Sequence, residues 1–88
     1  MKKFKISEPL QRKIKKLQKK DKVAYMLLMK KIEQILDLDI IHYKNLKYDL
    51  NEFKRVHIGP FVLVFRYDEK DNIIYFEDFD HHDKIYEK

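Results

Sequence analysis

The sequence predicts an α+β fold: an N-terminal strand and a helical hairpin packed on one face of a mainly antiparallel sheet that ends in a three-strand meander. Three observations carry that expectation. Apolar residues alternate with lysines at the N-terminus, two consecutive stretches repeat them at helical spacing with almost no connection between, and three runs rich in Val, Ile, Phe and Tyr then follow one another across turn residues. The 88 residues make one domain, 1–88, because a chain of this size buries only roughly 60–70% of its unfolded surface in a single core. A hydrophobic content of 44% supplies that core, and 40% charged residues leave a crowded, solvated exterior.

Lys2 to Ile6 places Phe4 and Ile6 on one side and Lys3 and Lys5 on the other, the pattern of a short half-buried strand. Ser7 is the expected N-cap of the first helix, with Glu8 at its positive end and Pro9 in the first turn, where a missing N–H costs nothing. Leu10, Ile14 and Leu17 form its one apolar stripe, and Arg12, Lys13, Lys15, Lys16, Lys19 and Lys20 fill the rest of the circumference. Asp21 caps a second helix, ending near Asp37, in which Leu28, Ile32, Ile35 and Leu36 keep helical spacing and Tyr25 and Met29 widen the stripe. With so short a connection the two helices lie antiparallel, and their shared apolar side needs a cover.

Residues 39–51 read as an irregular connection with one extended piece at Leu46–Tyr48. The cover then follows as strands Phe53–Ile58, Phe61–Tyr67 and Ile73–Phe79, separated by a tight turn at Gly59-Pro60 and a longer polar one from Asp68 to Asn72. Phe61-Val62-Leu63-Val64-Phe65 is apolar on both faces and belongs in the middle of the sheet.

Charge is distributed unevenly. Residues 1–50 carry a net +8 and residues 51–88 a net −3, within an overall +5. The basic half favours an acidic partner, nucleic acid or protein. The absence of cysteine excludes a disulfide framework, a thiolate metal site and a thiol nucleophile. No apolar run approaches membrane length, and Met1-Lys2-Lys3-Phe4 leads into no signal-peptide core, so a cytoplasmic protein without membrane contact is expected.

Strand alternation sorts the polar residues. Val56 and Ile58 share one face, which leaves Arg55 and His57 together on the other, and Arg66 shares its face with Val62 and Val64. If the helices cover the opposite side, Arg55, His57, Arg66, His82 and Tyr86 gather on an exposed surface suited to a phosphodiester. Cleaving RNA without metal needs a base for the ribose 2′-hydroxyl, an acid for the departing 5′-oxygen and cations for the phosphate; histidine titrates near neutrality and arginine forks fit phosphate. Singly, each residue also has a plain structural reading: His57 as a surface histidine, Arg66 as partner of the acidic turn, Tyr86 as a C-terminal anchor. His81 and His82 between Asp80 and Asp83 are discounted as a metal site, since neighbours on an extended chain point in opposite directions and no further Cys or His completes a set.

The motifs Leu46-Lys47, Phe53-Lys54-Arg55-Val56-His57-Ile58-Gly59-Pro60, Phe61-Val62-Leu63-Val64-Phe65 and His82-Asp83-Lys84-Ile85-Tyr86 resemble the RelE/ParE toxin superfamily, most of all its RelE/YafQ branch. That resemblance implies the toxin of a type II toxin–antitoxin system, a ribosome-dependent, metal-independent endoribonuclease that cuts mRNA, inhibits translation and needs no cofactor. A RelB-like cognate antitoxin would bind it in a hetero-oligomer. His57 and His82 become the acid/base pair in unassigned order, Arg55 and Arg66 the phosphate ligands, and Tyr86 the group that stacks or orients. Lys13, Lys16, Lys20, Lys47 and Lys54 are the expected contacts to RNA and ribosome. Val62 stands where many members carry arginine, so either Arg66 substitutes or the phosphate clamp is thinner. The alternative is a ParE-like gyrase poison or an inactive module of the same fold, binding protein without chemistry.

Overall fold

A computed structural model describes residues 3–37, 53–68 and 70–86, with the side chain of Tyr86 outside that description. The elements run β1 (Lys3–Ile6), α1 (Glu8–Lys20), α2 (Lys22–Asp37), β2 (Phe53–Ile58), β3 (Phe61–Asp68), β4 (Ile73–His81) and α3 (His82–Tyr86). The expected irregular connection over 39–51, including Lys47, lies outside the described residues. Two features depart from expectation. β4 continues two residues past Phe79, and the polar tail forms the short helix α3.

The four strands form one sheet in the order β1-β4-β3-β2. The meander is antiparallel, and β1 joins its far edge parallel to β4. β3 is thus flanked on both sides, as its apolar run requires, and Val62, Leu63 and Phe65 are fully buried.

Local chemistry sets the hairpin. Ser7 adopts extended backbone, and its hydroxyl oxygen accepts the Leu10 N–H at 3.2 Å while its O–H donates to the Glu77 carbonyl at 2.8 Å. One residue therefore starts α1 and ties it to β4. Asp21 serves both helices: its N–H donates to the Leu17 carbonyl at 2.8 Å, and its carboxylate accepts the Ala24 N–H at 3.1 Å. Leu10 from α1 and Leu28, Ile32, Ile35 and Leu36 from α2 then pack on Ile58, Leu63, Phe65, Ile74, Phe76 and Phe79.

Phe76 and Phe79 lie three residues apart, yet both enter this core, which a regular strand of period two cannot achieve. The register resolves the conflict: Val64 pairs with Asp78 and the adjacent Phe65 with Phe76, so Glu77 is an extra residue in β4. Before the bulge Ile74 and Phe76 face the helices; after it Phe79 does, and Asp78 and Asp80 lie on the opposite parity.

β1 covers the outer edge of β4 only as far as Phe76. Beyond it, the Lys13 ammonium donates to Asp78 Oδ1 at 2.7 Å, to Asp80 Oδ2 at 3.0 Å and to the Phe79 carbonyl at 3.3 Å. Burial acts to lower the Lys13 pKa, but the two carboxylates outweigh it and hold it above the ordinary lysine value. Asp80 shifts the other way. Burial acts to raise its pKa, and the His81 N–H with the Lys13 ammonium brings it below the usual carboxylate value.

Two predictions follow from these local constraints. Gly59 opens the β2–β3 turn at φ +58°, and no atom lies within 4 Å of an added Cβ, so Gly59→Ala should cost only backbone strain, about 1–2 kcal/mol in urea unfolding. Because Asp80 is more acidic folded than unfolded, its contribution is complete above the unfolded value and disappears as pH falls through the folded one. The stability gap between wild type and Asp80→Asn should therefore be constant above about pH 5 and shrink below about pH 4.

Candidate functional site

The sheet face away from the hairpin is read from the register. One row runs His57, Val62, Asp80; the next Arg55, Val64, Asp78; a third Phe53, Arg66, Tyr75. β2 alternation places Arg55 and His57 here and sends Val56 and Ile58 to the core, as expected.

At the end of β4 the chain turns into α3. The His82 N–H donates to the Pro60 carbonyl at 2.9 Å, which docks the helix on the β2–β3 turn, and Ile85 is buried. His82 thereby lies against His57, ring centroids 5.5 Å apart and planes inclined by 28°. Two histidines 25 residues apart in sequence are brought into contact, and Arg55 occupies the adjacent row. His82 Nδ1 is also 3.6 Å from the exposed Asp83 carboxylate. His81 turns the other way and packs on Phe61, centroids 4.6 Å apart, on the helix side of the sheet. Among the described residues, no three His, Asp or Glu side chains converge as a metal site.

Arg66 shares the face but not the cluster. It is four residues from Val62 along β3, roughly 13 Å at about 3.3 Å per residue, and its guanidinium stacks 4.0 Å above the Tyr75 ring with Nε 3.6 Å from Glu77. Tyr75, absent from the sequence expectations, thus belongs to this surface. Its parity opposite Ile74 and Phe76 was the available signal.

The lysines divide. Lys16 and Lys20 are exposed on α1 and, with Lys13, Leu17, Phe61, Phe79 and His81, border a groove of about 310 Å³ between helix and sheet. Lys13 is held by Asp78 and Asp80, so its charge is matched within the fold. Lys54 corrects the expectation of a surface cation. It shares parity with Val56 and Ile58, and at 6% exposure it lies on the helix-covered side. Lys47 lies outside the described residues, as does the Tyr86 side chain at the end of α3.

Two imidazoles in contact can divide the work of taking and returning a proton, and a neighbouring guanidinium can hold the anion on which they act. No helix among the described residues is long and apolar enough to cross a membrane.

No family model matches the chain. It is 51% identical over 76 residues to "Putative toxin RelE4" of Methanocaldococcus jannaschii, covering 85% of this chain and 80% of that protein. It is 47% identical over 84 residues to an uncharacterized protein of Methanosarcina mazei, covering 94% and 96%. Among solved structures, the archaeal RelE–RelB complex from Pyrococcus horikoshii matches with TM-score 0.66 and 14% identity over 91% of this chain and 93% of that one. YafQ from E. coli matches with TM-score 0.59 and 21% identity over 98% and 99%. The structural likenesses share the fold, and the sequence identity to RelE4 across most of both proteins goes further: the chain belongs to the RelE family of toxins from toxin–antitoxin systems.

Proposed function

We propose that this toxin is a ribosome-dependent, metal-independent endoribonuclease that cuts mRNA and so arrests translation in the cytoplasm. The observation that carries the reading is the contact of His57 with His82 beside Arg55. One histidine would take the proton of a ribose 2′-hydroxyl, whose oxygen then attacks the adjacent phosphorus. The bond from phosphorus to the 5′-oxygen breaks, the other histidine gives its proton to that oxygen, and the products are a 2′,3′-cyclic phosphate and a 5′-hydroxyl. Arg55 would hold the phosphate under attack, and Arg66, farther along the face, a flanking phosphate. Tyr86, four residues after His82, would stack on a base or orient the leaving group, and Val62 leaves Arg55 as the nearer cation.

Lys16 and Lys20 would meet ribosomal RNA, joined by Lys47, through contacts that weaken with salt. The neighbouring Pyrococcus RelE was solved with RelB, and a RelB-like antitoxin is the corresponding partner for this chain. A segment rich in acidic residues would match the α1 lysines and gain its association rate from them.

Single-turnover cleavage on programmed ribosomes tests the chemistry. His57→Ala and His82→Ala should each lower the rate by roughly 10²–10⁴-fold with folding preserved, and chelating the toxin before it meets the ribosome should change nothing. Wild-type rates from both variants would remove the histidines from the mechanism, and gyrase inhibition without mRNA cleavage would place the protein among the poisons of the same fold. Independently, reversing the charges of Lys16 and Lys20 should slow antitoxin association and flatten its salt dependence in stopped-flow measurements. An unchanged on-rate would assign those lysines to the ribosome alone.

A further inference from the structure

β4 carries the site into place, and its outer edge is held by two different devices. As far as Phe76 the edge is paired with β1, and Ser7 completes that pairing through its N–H to the Phe76 carbonyl at 3.0 Å and its O–H to the Glu77 carbonyl. From Asp78 to Asp80 no strand lies there among the described residues, and the Lys13 side chain reaches it. An ammonium has three N–H donors, and here three acceptors on consecutive residues receive them: Asp78 Oδ1, the Phe79 carbonyl and Asp80 Oδ2.

The strand so held continues directly into the site. Asp80 Oδ2 accepts from Lys13 while its Oδ1 accepts the His81 N–H at 2.8 Å, and the next residue, His82, donates its own N–H to Pro60. Polar contacts therefore run from α1 to Asp80 and on to the His81 N–H, one peptide bond before the residue whose ring meets His57. The Pro60 bond fixes the start of α3 against the β2–β3 turn, and the Lys13 bonds fix the strand that delivers it. β4 is paired with β3 on its inner side as far as His81, and the Lys13 bonds add an anchor on its outer side from Asp78 to Asp80.

We propose that Lys13 is a positioning residue for the histidine pair: by bridging Asp78, Phe79 and Asp80 on the outer side of β4 it holds His82 in contact with His57. The catalytic consequence rests on the nuclease reading above; the geometric one does not. Displacing a reacting group by about 1 Å costs on the order of 10²-fold in rate, so loosening β4 should act on kcat. Lys16 and Lys20, one and two turns farther along α1, make none of these bonds and should act on KM and on salt dependence.

The test uses the whole chain with its histidine rings isotopically labelled and follows the nuclear Overhauser contact between His57 and His82. Lys13→Met should weaken it several-fold while the core resonances of Phe65 and Phe76 stay in place, and Lys13→Arg, which can still bridge two carboxylates, should restore it. Asp78→Asn with Asp80→Asn removes both charges that hold the same clamp, leaving only neutral acceptors for Lys13 and no unmatched carboxylates. It should give the same loss, although its effect on the local field is opposite, and it decides the matter if Lys13→Met does not fold. In ribosome assays both clamp variants should lower kcat by about 10–100-fold with KM nearly unchanged. An undiminished ring contact in the folded clamp variants would overturn the proposal. Full cleavage by His57→Ala and His82→Ala would remove the histidines from the mechanism, and absence of mRNA cleavage by the wild type would overturn the nuclease reading instead; in either case the ring contact would still decide the role of Lys13.

Discussion

β4 carries one extra residue, Glu77, where its register against β3 shifts between Val64 and Phe65. Phe76 and Phe79 must both reach the core under α1 and α2, and three residues of separation put them on opposite sides of any regular strand. The bulge at Glu77 absorbs the misfit and reverses the phase of everything after it. Asp78 and Asp80 consequently leave the core parity, His81 returns to the helix side against Phe61, and His82 falls on the same side as His57. In an unbulged strand, His82 would share the parity of Ile74 and Phe76, and the two histidines would be separated by the sheet. A packing requirement of the hydrophobic core therefore decides where the imidazoles meet.

The two halves of the chain are joined at the same place. α1 begins at Ser7, bonded to Glu77, and two turns later offers Lys13 to Asp78 and Asp80. The first contact ties the helix to the bulge and the second ties it to the strand beyond. The charge imbalance of the sequence, basic before residue 50 and acidic after it, is thus partly resolved inside the fold. Only the lysines left over, Lys16 and Lys20 among them, face outward beside the groove.

Arg66 shows how the same alternation can mislead about distance. Parity correctly places it on the face of Val62 and Val64, but β3 carries it two rows beyond His57, where Tyr75 and Glu77 take its guanidinium. Parity specifies a side and is silent about neighbours across the sheet, because those depend on register.

Local chemistry was legible in the sequence. Ser7, Pro9 and Asp21 mark the helix starts through backbone hydrogen bonding within a few residues, and period-two patterning sorts Arg55 and His57 from Val56 and Ile58. The same rule would have sent Lys54 inward with Val56, since its charge has no influence on the direction of its Cβ. The motif resemblance identified the family before any coordinate was needed. Everything that depends on partners far apart in the chain was decided by tertiary structure: the parallel pairing of β1 with β4, the bulge that sets the face of His82, the docking of α3 on Pro60, and the capture of Lys13 by Asp78 and Asp80. Each arises when two apolar layers must fill the same space, and the register that satisfies them is a property of the assembled sheet that no single segment contains.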